Sequence, residues 1–221
     1  MFICGSKLTT RIKICGITSP TDAELAAKLG ADMIGVNFYS KSPRHVDDST
    51  ARSIVHSIPP TVEAVGVFVN EPWTQAQHIA APLGVRAIQM HGDLGDCLIQ
   101  GVRCIPAFPV RDAVSLSQIA YFLERLQSMG DVPAAILVDA HVPGQFGGTG
   151  QTAPWHLLAD IQLGVPLILA GGLTPENVAD AIRIVKPFAV DVASGVESCP
   201  GKKDGDKMRR FIDAVRAAST S

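Results

Sequence analysis

Short runs of Val, Ile, Leu and Ala recur along the chain. They alternate with longer stretches in which apolar residues return every three or four positions. The runs predict strands over Ile12–Cys15, Met33–Phe38, Glu63–Val69, Ala87–His91, Arg103–Phe108, Ala135–Asp139, Pro166–Ala170 and Phe188–Val192. They are dense in aliphatic residues rather than strictly alternating, as strands covered on both faces should be. The intervening stretches carry helix starts. Ser19-Pro20-Thr21-Asp22 and Thr174-Pro175-Glu176-Asn177 each set a hydroxyl residue at the cap and Pro at the first helical position, and so open the first and seventh helices. Val178, Ala181, Ile182 and Val185 form one apolar stripe, and Met208, Phe211, Ile212 and Val215 form another.

Eight such repeats predict parallel strands joined by crossover helices and closed into a single (β/α)₈ barrel. The competing fold, an open doubly wound sheet, expects a glycine-rich fingerprint after the first strand. Cys15-Gly16-Ile17-Thr18 does not supply one. A length of 221 residues suits one barrel. Residues 11–221 are assigned to it, and residues 1–10 to a flexible N-terminal extension. The Pro/Gly-rich stretch Val142–Pro154 reads as a long loop after the sixth strand.

Composition narrows the function. Lys and Arg are scattered through a chain of net charge −2, with no basic stripe to suggest nucleic acid. The most apolar stretch, Val165–Leu173, is broken by Pro166 and two glycines and falls far short of a membrane span. The first residues hold too short an apolar run for a secretory signal, so a cytoplasmic protein is expected. The five cysteines are odd in number and widely spaced, which fits neither a disulfide framework nor a zinc site.

In a barrel the active site lies at the C-terminal ends of the strands. That rule selects Cys15, the Ser40–Arg44 segment, His91, Asp139, Gly171-Gly172, and Asp191 with Ser194-Gly195. Gly171 and Gly172 precede a capped helix, and Ser194 and Gly195 follow the eighth strand. These are either tight turns or a phosphate site in which backbone N–H groups converge without side chains in the way. Barrels often bind phosphate between these two loops with a short extra helix, for which Val196–Asp204 leaves room. Gly147-Gly148-Thr149-Gly150 can cradle an anion or form a lid over the sixth strand. Cys15 is either packing or a general base or nucleophile. Asp139 is either a cap or a site residue, and a desolvated carboxyl there can act as an acid. His91 is a base, a ligand-binding donor or a satisfied turn residue. Arg44 either pairs with a carboxylate or lies solvated.

The ordered set of motifs resembles one family. Lys13-Ile14-Cys15-Gly16, Gly30-Ala31-Asp32-Met33-Ile34-Gly35-Val36-Asn37-Phe38-Tyr39, Ser42-Pro43-Arg44, Val65-Gly66-Val67-Phe68-Val69-Asn70 and Gln89-Met90-His91-Gly92 are similar to segments of the phosphoribosylanthranilate isomerases of tryptophan biosynthesis. So are Pro143–Gly150, Leu169-Ala170-Gly171-Gly172-Leu173, Asp191–Glu197 and Pro200–Asp204. The resemblance implies an Amadori rearrangement of N-(5'-phosphoribosyl)anthranilate without cofactor or metal. It implies Asp139 as the acid and Cys15 as the base. Arg44 would pair with the anthranilate carboxylate, and Gly171, Gly172, Ser194 and Gly195 would hold the phosphate. His91 and Asp191 would line the pocket. A phosphorylated small molecule is then the partner, and the protein is a monomer or homodimer. Ala193 replaces a common Ser, and Ala153-Pro154-Trp155 a common Phe-Asp-Trp. Two other readings remain: an isomerase or epimerase of another sugar phosphate, and a non-catalytic phosphate-binding barrel.

Overall fold

A computed structural model describes residues 9–94, 102–140, 155–159 and 161–220. Eight parallel strands close into a barrel in the order β1 to β8. They are β1 (Arg11–Cys15), β2 (Met33–Asn37), β3 (Glu63–Val69), β4 (Ala87–His91), β5 (Arg103–Pro109), β6 (Ile136–Asp139), β7 (Leu167–Ala170) and β8 (Ala189–Val192). Each lies where the aliphatic runs place it. The barrel shuts where β8 pairs with β1, with Asp191 beside Lys13 and Val192 beside Ile14. The described helices are α1 (Pro20–Leu29), α2 (Asp48–Ser57), α3 (Trp73–Ala80), α4 (Ala113–Ser128), α5 (Trp155–Leu158), α6 (Val178–Val185) and α7 (Gly205–Thr220).

Strand residues alternate between two cores because successive side chains point to opposite faces. Ile12 and Ile14 face outward into the large layer between strands and helices, with Phe211, Met208 and Val178. A smaller inner core fills the barrel with Met33, Val65, Ala87, Ile105, Ala107, Leu137, Ile168 and Ala189. Lys13 and Cys15 sit between the outward isoleucines and so face the interior. Both predicted stripes are buried: Val178, Ala181, Ile182 and Val185 on α6, and Met208, Phe211, Ile212 and Val215 on α7.

Two helix expectations need correction. Ser19 caps α1 as expected, accepting from the Asp22 amide at 3.2 Å. Thr174, however, does not open the seventh helix directly. The Thr174 amide donates to Asn177 Oδ1 at 2.8 Å, which closes a turn, and α6 starts at Val178. The interval after β8 holds a single 3₁₀ turn at Ser194–Val196, followed by a two-stranded ribbon of β9 (Glu197–Cys199) and β10 (Lys202–Lys203). Its chain alternates in extended conformation because Glu197 and Lys203 turn inward to pair. Thr10, placed in the extension by sequence, is buried and its amide donates to Ser219 Oγ at 3.3 Å. Residues 1–8 and the Gly147–Gly150 and Ala153-Pro154 features lie outside the described residues.

Phe211 is fully buried between α7 and the strands. Phe211→Ala is expected to cost about 3–5 kcal/mol in urea unfolding through cavity formation, while leaving the remote mouth of the barrel intact.

Candidate active site

A cavity of about 430 Å³ opens at the C-terminal ends of the strands. That volume suits a small-molecule ligand. Cys15, Arg44, His91, Asp139, Gly171, Gly172, Asp191, Ser194 and Gly195 all line it. The structure therefore brings together residues from every segment that the strand-end rule selected, with Arg44 alone representing the Ser40–Arg44 segment.

The β7 and β8 loops are shaped by backbone. Gly171 (φ 94°) and Gly172 (φ 64°) occupy the left-handed region that favours glycine. Asn177 Nδ2 donates to the Gly172 carbonyl at 2.9 Å, so one side chain holds both ends of the Gly172–Thr174 turn. Gly195 lies so close to this turn that a Cβ would fall 1.9 Å from the Leu173 carbonyl oxygen. The two loops touch only because that side chain is missing.

Arg44 is set from three directions. Asn37 at the end of β2 accepts from the Tyr39 amide at 2.8 Å, and Asn37 Nδ2 donates to Ser42 Oγ at 3.3 Å. Ser42 Oγ in turn accepts from the Arg44 amide at 3.1 Å. The Arg44 stem lies on Gly16, where a Cβ would fall 2.3 Å from Arg44 Cδ. Its guanidinium is paired with a carboxylate of the protein. Nε donates to Glu197 Oε1 at 2.7 Å and Nη2 to Oε2 at 2.6 Å. Glu197 also accepts from buried Lys203 at 2.8 Å, and Lys203 donates to the Ala193 carbonyl at 3.1 Å. Burial opposes the Glu197 charge, but Arg44 and Lys203 outweigh it and hold its carboxyl below the usual range. The guanidinium still has three hydrogens for a ligand, since Glu197 engages only the Nε and one Nη2 hydrogen.

Inside the mouth lies a second ionic group. Lys13 is completely buried, and its Nζ donates to Asp191 Oδ1 at 3.0 Å. Cys15 follows two residues later on the same strand face. Gly35 of β2 sits beside Cys15, and a Cβ there would fall 2.8 Å from Cys15 Sγ and 3.0 Å from Lys13 Nζ. Burial pushes the half-buried Cys15 thiol up, and Asp191 adds to this. Lys13 and, more weakly, Lys203 oppose it. Opposite this group, Gln89 Nε2 donates to His91 Nε2 at 2.8 Å, which makes that ring nitrogen the acceptor of a neutral imidazole. Burial and the nearby Lys13 charge both favour the neutral form. Gln89 Oε1 is buried without a hydrogen-bond partner among the described residues, and Gln89 lines the cavity.

A family model for N-(5'phosphoribosyl)anthranilate (PRA) isomerase matches residues 12–214. The chain belongs to that family. It is 44% identical over 209 residues to the N-(5'-phosphoribosyl)anthranilate isomerase of Geobacter metallireducens, covering 94% of this chain and 99% of that one. The solved phosphoribosyl anthranilate isomerase of Thermotoga maritima superposes with a TM-score of 0.84 at 38% identity, covering 94% of this chain and 99% of that one. Another solved member, in complex with reduced 1-(o-carboxyphenylamino)-1-deoxyribulose 5-phosphate, superposes with a TM-score of 0.79 at 35% identity and the same coverage.

Lys13, Gln89, Glu197 and Lys203 were given no role by sequence. The signal was there for two of them: Lys13 and Gln89 are polar residues inside otherwise apolar strands, two residues before Cys15 and His91. Among the described residues no cluster of His, Cys, Asp and Glu could hold a metal ion, and no helix is long and apolar enough to cross a membrane.

Glu197→Gln removes a charge held between two cations. The native carboxyl is depressed, so its contribution is complete above the ordinary value of about 4.3 and is lost as pH falls through the lowered one. The variant should be less stable by about 3 kcal/mol at neutral pH. In urea titrations at stepped pH the difference should shrink below about pH 4.

Proposed function

We propose that this chain converts N-(5'-phosphoribosyl)anthranilate into 1-(2-carboxyphenylamino)-1-deoxyribulose 5-phosphate in tryptophan biosynthesis, with Asp139 as acid and Cys15 as base. The observation that carries the reading is that the carboxyl, the thiol, the arginine and both glycine loops line one cavity in a member of this family. The phosphate sits against Gly171, Gly172, Ser194 and Gly195, where glycine turns let backbone N–H groups approach an anion. Arg44 offers its remaining edge to the anthranilate carboxylate, and Glu197 keeps it from turning away. His91 and Asp191 line the sugar between these anchors.

The chemistry needs one proton given and one taken. Asp139 delivers its proton to the ribose ring oxygen as the amine lone pair forms a C1′=N double bond and the C1′–O bond breaks. The thiolate of Cys15 then takes the C2′ proton. An S–H bond forms, and the C–H electrons become a C1′=C2′ double bond as the iminium pair returns to nitrogen. Protonation at C1′ and loss of the C2′ hydroxyl proton give the aminoketose. The protein works in the cytoplasm as a monomer or homodimer.

Turnover is followed as loss of substrate fluorescence. Cys15→Ser and Asp139→Asn should each lower kcat roughly 10²-fold or more, about 2.7 kcal/mol of barrel-mouth catalysis. Near-native turnover by either would remove that role. An isomerase of another sugar phosphate remains the second reading, because the glycine loops recognise only the phosphate. Arg44→Ala discriminates: it should raise KM for the anthranilate substrate at least tenfold, whereas an unchanged KM would favour a substrate with no carboxylate at that end.

A further inference from the structure

The acid–base proposal leaves one strongly charged group without a task. Lys13 is fully buried inside the barrel, where an ammonium is costly unless it is paired. Asp191 accepts one of its three hydrogens. Cys15 Sγ is a second neighbour, approached across the gap left by Gly35.

We propose that Lys13 is a positioning residue that favours the thiolate of Cys15 against burial, its ammonium reaching Sγ across the space left by Gly35 while Asp191 holds it in place. The inference rests on the assignment of Cys15 as base and adds the group that makes the base available. Several charged groups face the sulfur. Asp191 on β8 opposes the thiolate. Lys203 on β10 favours it, but its Nζ is engaged by Glu197 and the Ala193 carbonyl. Arg44, on the loop after β2, also senses the sulfur but is paired in bidentate fashion to Glu197. Lys13 is the cation among these whose hydrogen bond to Asp191 leaves hydrogens free to face the sulfur. Burial works against its charge, yet Asp191 and Cys15 outweigh burial and keep it protonated. His91, neutral beside it, does not compete for that role. When the thiolate takes a proton from carbon, the ammonium loses one favourable contact and keeps the other. The charge pair therefore persists through the step.

The test reads the thiol directly. Iodoacetamide alkylation of Cys15 is followed across pH by mass spectrometry of its peptide, which separates it from exposed Cys199 and the other cysteines. Lys13→Met should move the alkylation midpoint up by at least one pH unit, about tenfold less thiolate at a fixed pH below it. The acid limb of the kcat profile should move with it. Lys13→Arg should restore much of the shift. Should Lys13→Met fail to fold with Asp191 unpaired, Asp191→Asn is compared with the Lys13→Met/Asp191→Asn double variant, which isolates the ammonium in a background without that carboxylate. A higher midpoint in the double variant supports the proposal. Indistinguishable midpoints in whichever pair folds overturn it, and leave Lys13 as a structural counter-ion. Failure of the functional reading looks different: a midpoint that follows Lys13 in a protein with no turnover of the anthranilate substrate.

Discussion

The barrel closes over a sealed charge pair. Lys13 and Asp191 sit on neighbouring strands at the seam where β8 meets β1, beside the apolar inner core. Neither charge is tolerable there alone, and each makes the other tolerable. A slip of one residue in that register would turn one of them out of the barrel and leave its partner stranded. The pair therefore fixes the seam, and the seam fixes Cys15, which projects to the same side two residues further along β1. Gly35 completes the arrangement by giving up the space that sulfur and ammonium share.

A second ionic group works differently. Glu197 joins the loop after β2 to the ribbon after β8 by holding Arg44 on one side and Lys203 on the other. It sits at the rim, and its task is orientation: a guanidinium with one edge taken presents the other edge in a fixed plane. The glycine turns that line the same cavity use no charge at all. The mouth is thus shaped partly by ion pairs and partly by the absence of side chains.

The sequence made the fold legible because aliphatic runs at regular intervals leave few alternatives to a closed parallel sheet. All eight strands fall where those runs lie, with ends shifted by a residue or so. Less visible were features set by contacts between distant segments. Thr174-Pro175 has the residues of a helix start, yet Asn177 takes the Thr174 amide and delays the helix. The ribbon after β8 was missed because its reason to exist, the inward pairing of Glu197 with Lys203 and with Arg44, reaches across 153 positions to Arg44. Strand-end geometry found Cys15, Asp139, Arg44 and His91. It passed over Lys13 and Gln89, which lie one layer deeper, where alternation within β1 and β4 is the available sign and an apolar residue is the usual occupant.

The charge pair at the seam also bears on how the molecule is made. Lys13 leaves the ribosome well before Asp191, which lies 178 positions later in the chain. Until β8 docks, the nascent chain carries Cys15 on an open edge beside a solvated lysine, an ordinary thiol with ordinary reactivity. A partial barrel lacking β8 would hold Lys13 without its counter-ion and Cys15 without its cavity. The reactive centre is thus complete only once β8 has been made and has docked beside β1.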